Sequence, residues 1–251
     1  TLGRGSQLLP TFLGVKSQPR LAFGIQNGNL VPLGIAADSV SSERLVTGKL
    51  SESLLGGVPQ DVPVFLSLHI QLPKNLDVQS LTDYLANPKA STNNLPREVA
   101  LLWYPNGSHQ DVAEIAIVWS RQEDKPLLVQ EIFAESFVYD EQTSCAPVVL
   151  ASTEKLLHHI EESCAKKQPS LLHASPAILS GLQSPASVAV FVDFGRMLKS
   201  LAEDSFNDSW PAKQETPAEM REAFEQLQAL PIFGLQGVFD DDKLVPRGFR
   251  S

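Results

Sequence analysis

The sequence has few of the residues that most often carry chemistry or membrane contact. It contains two cysteines, two methionines and five histidines among 251 residues, and positive charge is scarce, with 20 Lys and Arg against 29 Asp and Glu. No apolar run reaches the roughly 18 residues that a membrane-spanning helix needs. The net charge of −9 repels phosphate backbones and anionic lipids, so we expect neither nucleic-acid binding nor electrostatic docking on membranes.

Motifs for phosphate binding and for esterase chemistry are also missing. There is no Gly-rich phosphate loop and no nucleophile elbow, so no cofactor is expected. The composition, 43% hydrophobic and 20% charged, is that of a globular protein. Because the chain begins at Thr1 without a charged and apolar leader, a signal peptide, if there is one, has been removed, and a membrane anchor could lie outside this fragment.

The most informative positive feature is partial self-repetition, which bears directly on the fold. Two strings near the start, Leu9-Pro10-Thr11-Phe12 and Leu30-Val31-Pro32-Leu33-Gly34, recur near the end as Leu230-Pro231-Ile232-Phe233 and Leu244-Val245-Pro246-Arg247-Gly248. A second echo pairs Pro59, Val62, Val64 and Phe65 with Pro185, Val188, Val190 and Phe191. Duplication predicts two related units, and chance recurrence of short apolar strings is the alternative.

The final segment has a second interpretation. The string from Asp241 to Gly248 resembles protease-cleavage linkers that are engineered into expressed proteins, which would have to be excluded from fold reasoning. Phe249 follows Gly248 where such a linker usually has Ser, and Leu30-Val31-Pro32 echoes the string. We therefore interpret it as native.

Three stretches are typical of hairpins because apolar segments flank turn residues. The predicted strand pairs are Leu21–Ile25 with Leu30–Ala36, Val99–Tyr104 with Val112–Trp119, and Leu235–Phe239 with Leu244–Phe249. Single strands are predicted at Val62–Ile70, Leu127–Tyr139, Val148–Ala151 and Val188–Phe194.

Apolar residues at helical spacing predict four helices. These are Leu76–Leu85, Thr153–Lys166, Met197–Ala202 and Pro217–Leu230. The order is strand, helix, hairpin, used more than once. We predict an α+β fold with antiparallel or mixed sheets built from such units and helices packed on one face. Residues 1–120 would hold the first unit or units, incomplete at the N-terminus, and residues 121–251 the second, or both would form one continuous domain.

The two cysteines are predicted to lie at the same level of the fold. Cys145 precedes a short strand and Cys164 lies near the end of the following helix. The strand advances about 3.3 Å per residue and the helix about 1.5 Å per residue, so the strand segment, which has fewer residues, spans a length similar to that of the helix. If the helix packs antiparallel to its strand, the two sulfur atoms lie at the same level and a Cys145–Cys164 disulfide can form, which would imply an oxidising compartment. Two buried free thiols are the alternative.

One string has the pattern of an acyl-enzyme nucleophile. Ser152-Thr153-Glu154-Lys155 resembles the Ser-x-x-Lys motif of serine β-lactamases and penicillin-binding proteins, which implies Ser152 as nucleophile and Lys155 as base. No Lys-Thr-Gly follows it, and no Ser-Asp-Asn lies between. The competing interpretation is that Ser152 caps the helix, and on that interpretation the chain has no catalytic residues.

Other polar groups predict no site. His158 and Glu162, one helical turn apart, have metal-ligand spacing but no identifiable third ligand, and a solvated helix face accounts for them. His69, His109 and His173 are isolated, and the run Asp240-Asp241-Asp242 lacks the alternation of a calcium loop. Two glycosylation acceptor sequences begin at Asn106 and Asn207. No metal site is expected.

A longer run resembles a family. Val148-Val149-Leu150-Ala151-Ser152-Thr153-Glu154-Lys155-Leu156-Leu157 is followed by Pro169-Ser170-Leu171 and then by Ala189-Val190-Phe191-Val192-Asp193-Phe194-Gly195-Arg196-Met197-Leu198. Over about residues 146–201 this pattern resembles uncharacterised bacterial envelope domains of the periplasmic or lipoprotein type. The resemblance implies a periplasmic or secreted α+β module with no known activity.

We therefore predict a non-catalytic binding or scaffold module of a secreted or cell-envelope bacterial protein, with a protein or an envelope component as partner. A serine acyl-hydrolase that uses Ser152 and Lys155, and a small-ligand carrier, are the alternatives.

Overall fold

The chain is described by a computed structural model over residues 20–26, 29–36, 45–73, 83, 94–105, 114–120, 137–138, 145, 147–197, 222, 226, 232–240 and 243–250. The strands in these residues are β1 (Arg20–Gln26), β2 (Asn29–Ala36), β3 (Val64–Pro73), β4 (Asn94–Tyr104), β5 (Glu114–Trp119), β6 (Val148–Ala151), β7 (Val188–Asp193), β8 (Ile232–Asp240) and β9 (Lys243–Arg250). The helices are α1 (Glu52–Gly56), α2 (Glu154–Cys164) and α3 (Pro176–Leu182), with a 3₁₀ turn at Leu171–His173.

Seven strands form one sheet in the order β6-β5-β4-β3-β7-β8-β9, and every neighbouring pair is antiparallel. The strands β1 and β2 form a separate two-stranded sheet, and β2 contacts β8 and β9. The predicted α+β class is confirmed. In the part of the chain that is described, no helix is long and apolar enough to cross a bilayer.

Alternation along the strands produces one face that packs against helices. On this face lie Phe65 of β3, Leu102 of β4 and Phe191 of β7, all of them buried. The helices cover it with buried leucine and isoleucine side chains, namely Leu54, Leu55, Leu156, Leu157, Ile160, Ile178 and Leu182. Burying one such side chain stabilises the fold by about 1.5–3 kcal/mol, so this layer is the main core.

The opposite face of the sheet is apolar too. Its central row runs from Leu150 through Ile117, Leu101 and Leu66 to Val190. Leu150 and Val190 are buried, whereas the other three are half-buried. Two apolar faces explain why the strands appear in the sequence as nearly continuous apolar runs.

The three predicted hairpins are confirmed. Gln26 pairs with Asn29, Tyr104 with Glu114, and Asp240 with Lys243, each at the closed end of its strand pair. The single strands β6 and β7 begin where the sequence predicts them, and β3 begins two residues later and ends three residues later than predicted.

Several predicted elements lie outside the described residues. The helices predicted at residues 76–85 and 217–230 are described only at Asp83, Glu222 and Gln226, which are helical and exposed. The helix predicted at 197–202 is described only at its first residue, which ends a helical turn over 194–197. Of the strand predicted at 127–139, the described residues are 137 and 138, and Val138 forms a bridge with Ala151.

Two helices were missing from the prediction. The helix α1 has only five residues, too few to show a helical period, and begins where the Ser51 hydroxyl accepts from the Leu54 amide. The helix α3 begins with a Ser175 cap and Pro176 at its first position, which is a recognisable start signal. A polar strand residue holds it in place, because the Gln236 side chain on β8 donates to the carbonyl oxygen of Gly181.

The strands β3 and β7 meet at the centre of the sheet. Phe65 lies directly opposite Phe191, and their rings make an edge contact with centroids 6.5 Å apart. These two residues are also equivalent in the sequence echo. In the sheet, β4 and β5 follow β3 on one side of this junction, as β8 and β9 follow β7 on the other. Two related units would have this arrangement. The duplication itself stays a prediction.

Candidate functional site

The two cysteines are joined by a disulfide bond, with their Cα atoms 5.1 Å apart. Cys145 is buried just before β6, and Cys164 is the last residue of α2. The bridge therefore fixes the end of α2 to the strand that precedes it. Gly57, which ends α1, lies close to the bridge, since a Cβ placed on it would be 3.3 Å from the Cys164 sulfur and 2.6 Å from Pro147.

The structure places Ser152 and Lys155 in different surroundings. The main-chain amide of Ile115 on β5 donates to the Ser152 hydroxyl over 3.0 Å, and the Ser152 amide donates to the Ile115 carbonyl oxygen over 2.8 Å. These two bonds extend the pairing of β5 with β6 by one residue. Lys155 lies on an exposed part of the first turn of α2. Ser152 thus takes part in the pairing at the edge of the sheet.

The assignment of Ser152 as the helix cap was wrong. The cap is Thr153, whose hydroxyl oxygen accepts from the Leu156 amide over 3.1 Å. The same hydroxyl donates to a carboxylate oxygen of Glu114 on β5 over 2.9 Å. The backbone of Thr153 is extended, so the helix begins at Glu154, one residue later than a Ser152 cap requires.

The two histidines of α2 have different environments. His158 has 78% of its side chain exposed and contacts Glu161 of the same helix at 3.1 Å. Glu162 is exposed as well. Among the described residues, no group of three or more His, Cys, Asp or Glu side chains is arranged to hold a metal ion. A solvated helix face describes His158 and Glu162 well.

His159 has a different environment because it contacts a distant part of the chain. Its Nε2 atom lies 2.9 Å from a carboxylate oxygen of Asp61, which is 98 residues away in the turn before β3. On the other side, the amide nitrogen of Gln168 lies 3.1 Å from Nδ1 and also donates to the main-chain oxygen of His159. Gln168 thus favours the tautomer in which Nε2 carries the proton and donates to Asp61.

The pKa values of this pair move in opposite directions. The hydrogen bond to Asp61 raises the pKa of His159 against the effect of its partial burial, and the charges of Asp61, Glu162 and Glu114 add to the increase. Partial burial raises the pKa of Asp61, but the hydrogen bond and charge of His159, with help from Arg196, outweigh it and bring that pKa below its usual value. Each group therefore favours the charged form of the other.

Tyr104 lies beside this pair, at the end of β4. Its ring meets the His159 ring edge-on, with centroids 6.1 Å apart. The hydroxyl group is buried and has no hydrogen-bond partner among the described residues. Burial raises the pKa of Tyr104 well above its usual value, and the charges of Asp61 and Glu114 contribute further, against the opposing effect of Arg196. Tyr104 is thus a neutral, buried phenol.

Arg196 completes the group of charges at this end of the sheet. Its guanidinium Nε lies 3.0 Å from Asp193, the last residue of β7, and Asp193 also accepts from the Arg196 main-chain amide. The residues of this cluster, which we call the polar end cluster, come from five separate segments: Asp61, Tyr104, Glu114, His159 and Arg196. Proton transfer and polar-group binding are the chemistry that such a set can support.

A second polar group lies at the opposite end of β3. His69 is 7% exposed, and its Nε2 atom has no hydrogen-bond partner in the described part of the chain. Directly opposite on β4 is Glu98, which accepts from both the amide and the hydroxyl group of Ser51. The two hydrogen bonds from Ser51 to Glu98 tie α1 to the sheet.

Sequence reasoning missed the polar end cluster because its members share no motif. Asp61 lies in the turn before β3 and Arg196 in the helical turn after β7, far apart in the sequence, and the sheet brings them to the same end of the fold. Likewise Trp103 and Trp119, which are scattered in sequence, lie on the same apolar face of β4 and β5.

The glycosylation acceptor sequences, His109, and Asp241 and Asp242 lie outside the described residues.

Comparison with known proteins gives no relative, because no family model, no curated protein and no solved structure matches this chain.

Proposed function

We propose that this chain is a non-catalytic binding or scaffold module of a secreted or cell-envelope bacterial protein, with a protein or an envelope component as its partner. The observation that carries the proposal is the Cys145–Cys164 disulfide. Structural disulfides persist in oxidising compartments and are rare where thiol reductants are abundant. The chain uses both of its cysteines in this one bridge, which suits a protein that works outside the cytoplasm.

The surroundings of Ser152 support the non-catalytic part of the proposal. Its hydroxyl oxygen accepts a main-chain hydrogen bond from the Ile115 amide, so the side chain takes part in the pairing of β6 with β5. Lys155, which would be that base, lies in an exposed position on α2. The opposite face of the sheet, with the half-buried Leu66, Leu101 and Ile117 in its central row, gives such a module an apolar surface for binding.

Thiol counting tests the proposal. Protein isolated from its native host, denatured without reductant in the presence of an alkylating reagent, should show no free thiols, and two after reduction. The same chain made in a reducing cytosol serves as the comparison. Two free thiols in the protein from its native compartment would contradict an extracytoplasmic location.

A fluorophosphonate probe and a β-lactam probe test the acyl-hydrolase alternative. We expect neither to label the chain. Labelling of Ser152 that disappears in Ser152→Ala would replace the binding role with catalysis. For the carrier alternative, native mass spectrometry of the protein purified from its source would reveal a retained small ligand.

A further inference from the structure

The contact between Asp61 and His159 joins the turn before β3 to α2. The same turn is also tied to the segment after α2, because the Leu171 amide donates to the Val58 carbonyl oxygen over 2.8 Å and Pro59 forms a bridge with Ser170. The turn that carries Asp61 is attached to the segment after α2 through Gln60, whose amide donates to the Pro169 carbonyl oxygen over 3.0 Å. The side-chain contact at 2.9 Å is a link from this turn to α2 itself. The His159 ring at this contact lies edge-on to the ring of Tyr104, whose hydroxyl group is buried.

We propose that the Asp61–His159 pair is a proton-controlled latch that holds the turn before β3 against α2 and closes this end of the core beside Tyr104. Protonation of His159 strengthens the link, and closure of the turn favours protonation, because the two equilibria are thermodynamically coupled.

The charged groups that face His159 come from every element around it. Asp61 faces it from the turn, Glu114 from β5 and Glu162 from its own helix, and each of these carboxylates favours the imidazolium form. Arg196, from the helical turn after β7, acts on Asp61 and on Tyr104. The charged groups around the His159 ring are mainly negative, so the latch holds most tightly when His159 is positively charged.

The direction of the pH dependence follows from the raised pKa of His159 and the lowered pKa of Asp61. His159 has a raised pKa, so its contribution to closure is complete below about pH 6.5, the value of an unperturbed histidine, and is lost as the pH rises through its folded-state pKa. Asp61 has a lowered pKa, so its contribution is complete above about pH 4 and is lost as the pH falls through its own folded-state value. The latch is therefore tightest in mildly acidic solution and loosens in alkaline solution.

Gln168 sets how completely the latch loosens. Its amide nitrogen faces Nδ1, which suits the neutral ring, so the neutral ring still donates from Nε2 to Asp61. Protonation puts a second N–H opposite that amide nitrogen, and the Gln168 amide has to turn over to present its oxygen. Deprotonation consequently weakens the latch without abolishing it.

Hydrogen exchange of the Gln60 amide, read by NMR and corrected for the intrinsic rate at each pH, measures the opening of the turn. In the same samples, the imidazole signals of His159 give its pKa. We expect protection of Gln60 to decrease as the pH rises from about 5.5 to 8.5. The opening equilibrium should increase by about tenfold for each unit by which the pKa of His159 exceeds the usual histidine value.

Two variants isolate the pair, and a neighbouring residue provides the control. His159→Gln and Asp61→Asn should each remove the pH dependence of Gln60 protection, and Asp61→Asn should also lower the pKa of His159. His158→Gln, on the exposed side of the same helix, should leave both readouts as in the unmodified protein. The proposal is wrong if Gln60 protection does not follow the titration of His159, or if His159→Gln keeps the pH dependence.

Discussion

At the scale of single residues, the buried side chain of His69 lies unusually close to the backbone of another segment. The imidazole of His69 lies against Gly48, where a Cβ atom would be 2.5 Å from Cδ2 and 2.8 Å from Nε2. The segment that carries Gly48 is fixed by a pair of backbone hydrogen bonds with Ala186, of 3.1 and 2.8 Å. Because this backbone is held in place, a side chain larger than that of glycine at position 48 would have to displace the His69 ring.

Gly48→Ala should lower the free energy of unfolding by about 1–3 kcal/mol, the usual cost of forcing an extra methyl group into a packed site. Urea unfolding at neutral pH measures this. Gly56→Ala is the matched control, because its Cβ would lie 3.4 Å from Leu172, an ordinary contact at the end of a helix. Equal stability of the two variants would contradict the close approach, as would an undiminished effect of Gly48→Ala in a His69→Ala background.

At the scale of the elements, α2 is attached to the sheet at both ends. The Thr153 hydroxyl caps its first turn and donates to Glu114, and Cys164 ties its last residue to Cys145. His159 sits between these two attachments and contacts Asp61. The helix is therefore held at both ends, and the side chain of His159 links it to the turn before β3.

Thr153→Ala should destabilise the fold by about 1 kcal/mol, because the Leu156 amide loses its acceptor. Thr153→Ser keeps the hydroxyl group and should retain most of the stability. Thermal and urea unfolding under non-reducing conditions compare the two. Equal losses of stability in Thr153→Ala and Thr153→Ser would contradict the cap at Thr153.

The strands and hairpins could be predicted because their signals are local. Alternation in Val64, Leu66 and Leu68, and turn residues between apolar runs, do not depend on distant contacts. The start of α3 also carried a signal, Ser175 followed by Pro176, that the prediction overlooked. The polar end cluster could not be predicted, because Asp61 and His159 are brought together by the order of strands in the sheet. Nothing in the sequence around either residue encodes that order.

At the scale of the whole molecule, residues from both predicted units form one continuous sheet. The strand β3 from the first unit pairs directly with β7 from the second through five residues of each strand, from Val64 opposite Val192 to Leu68 opposite Val188. The buried phenylalanines Phe65 and Phe191 fill the centre of this junction. Because the helices of the main core pack across the same junction, separating the two units would expose the core of both.

Native-state hydrogen exchange of the β3 and β7 amides tests this junction most directly. A single sheet predicts that the slowest amides of both strands exchange with the same opening free energy, equal to that of global unfolding measured by urea. Exchange of β7 and β8 through a separate opening of much lower free energy, while β3 and β4 stay protected, would contradict the account.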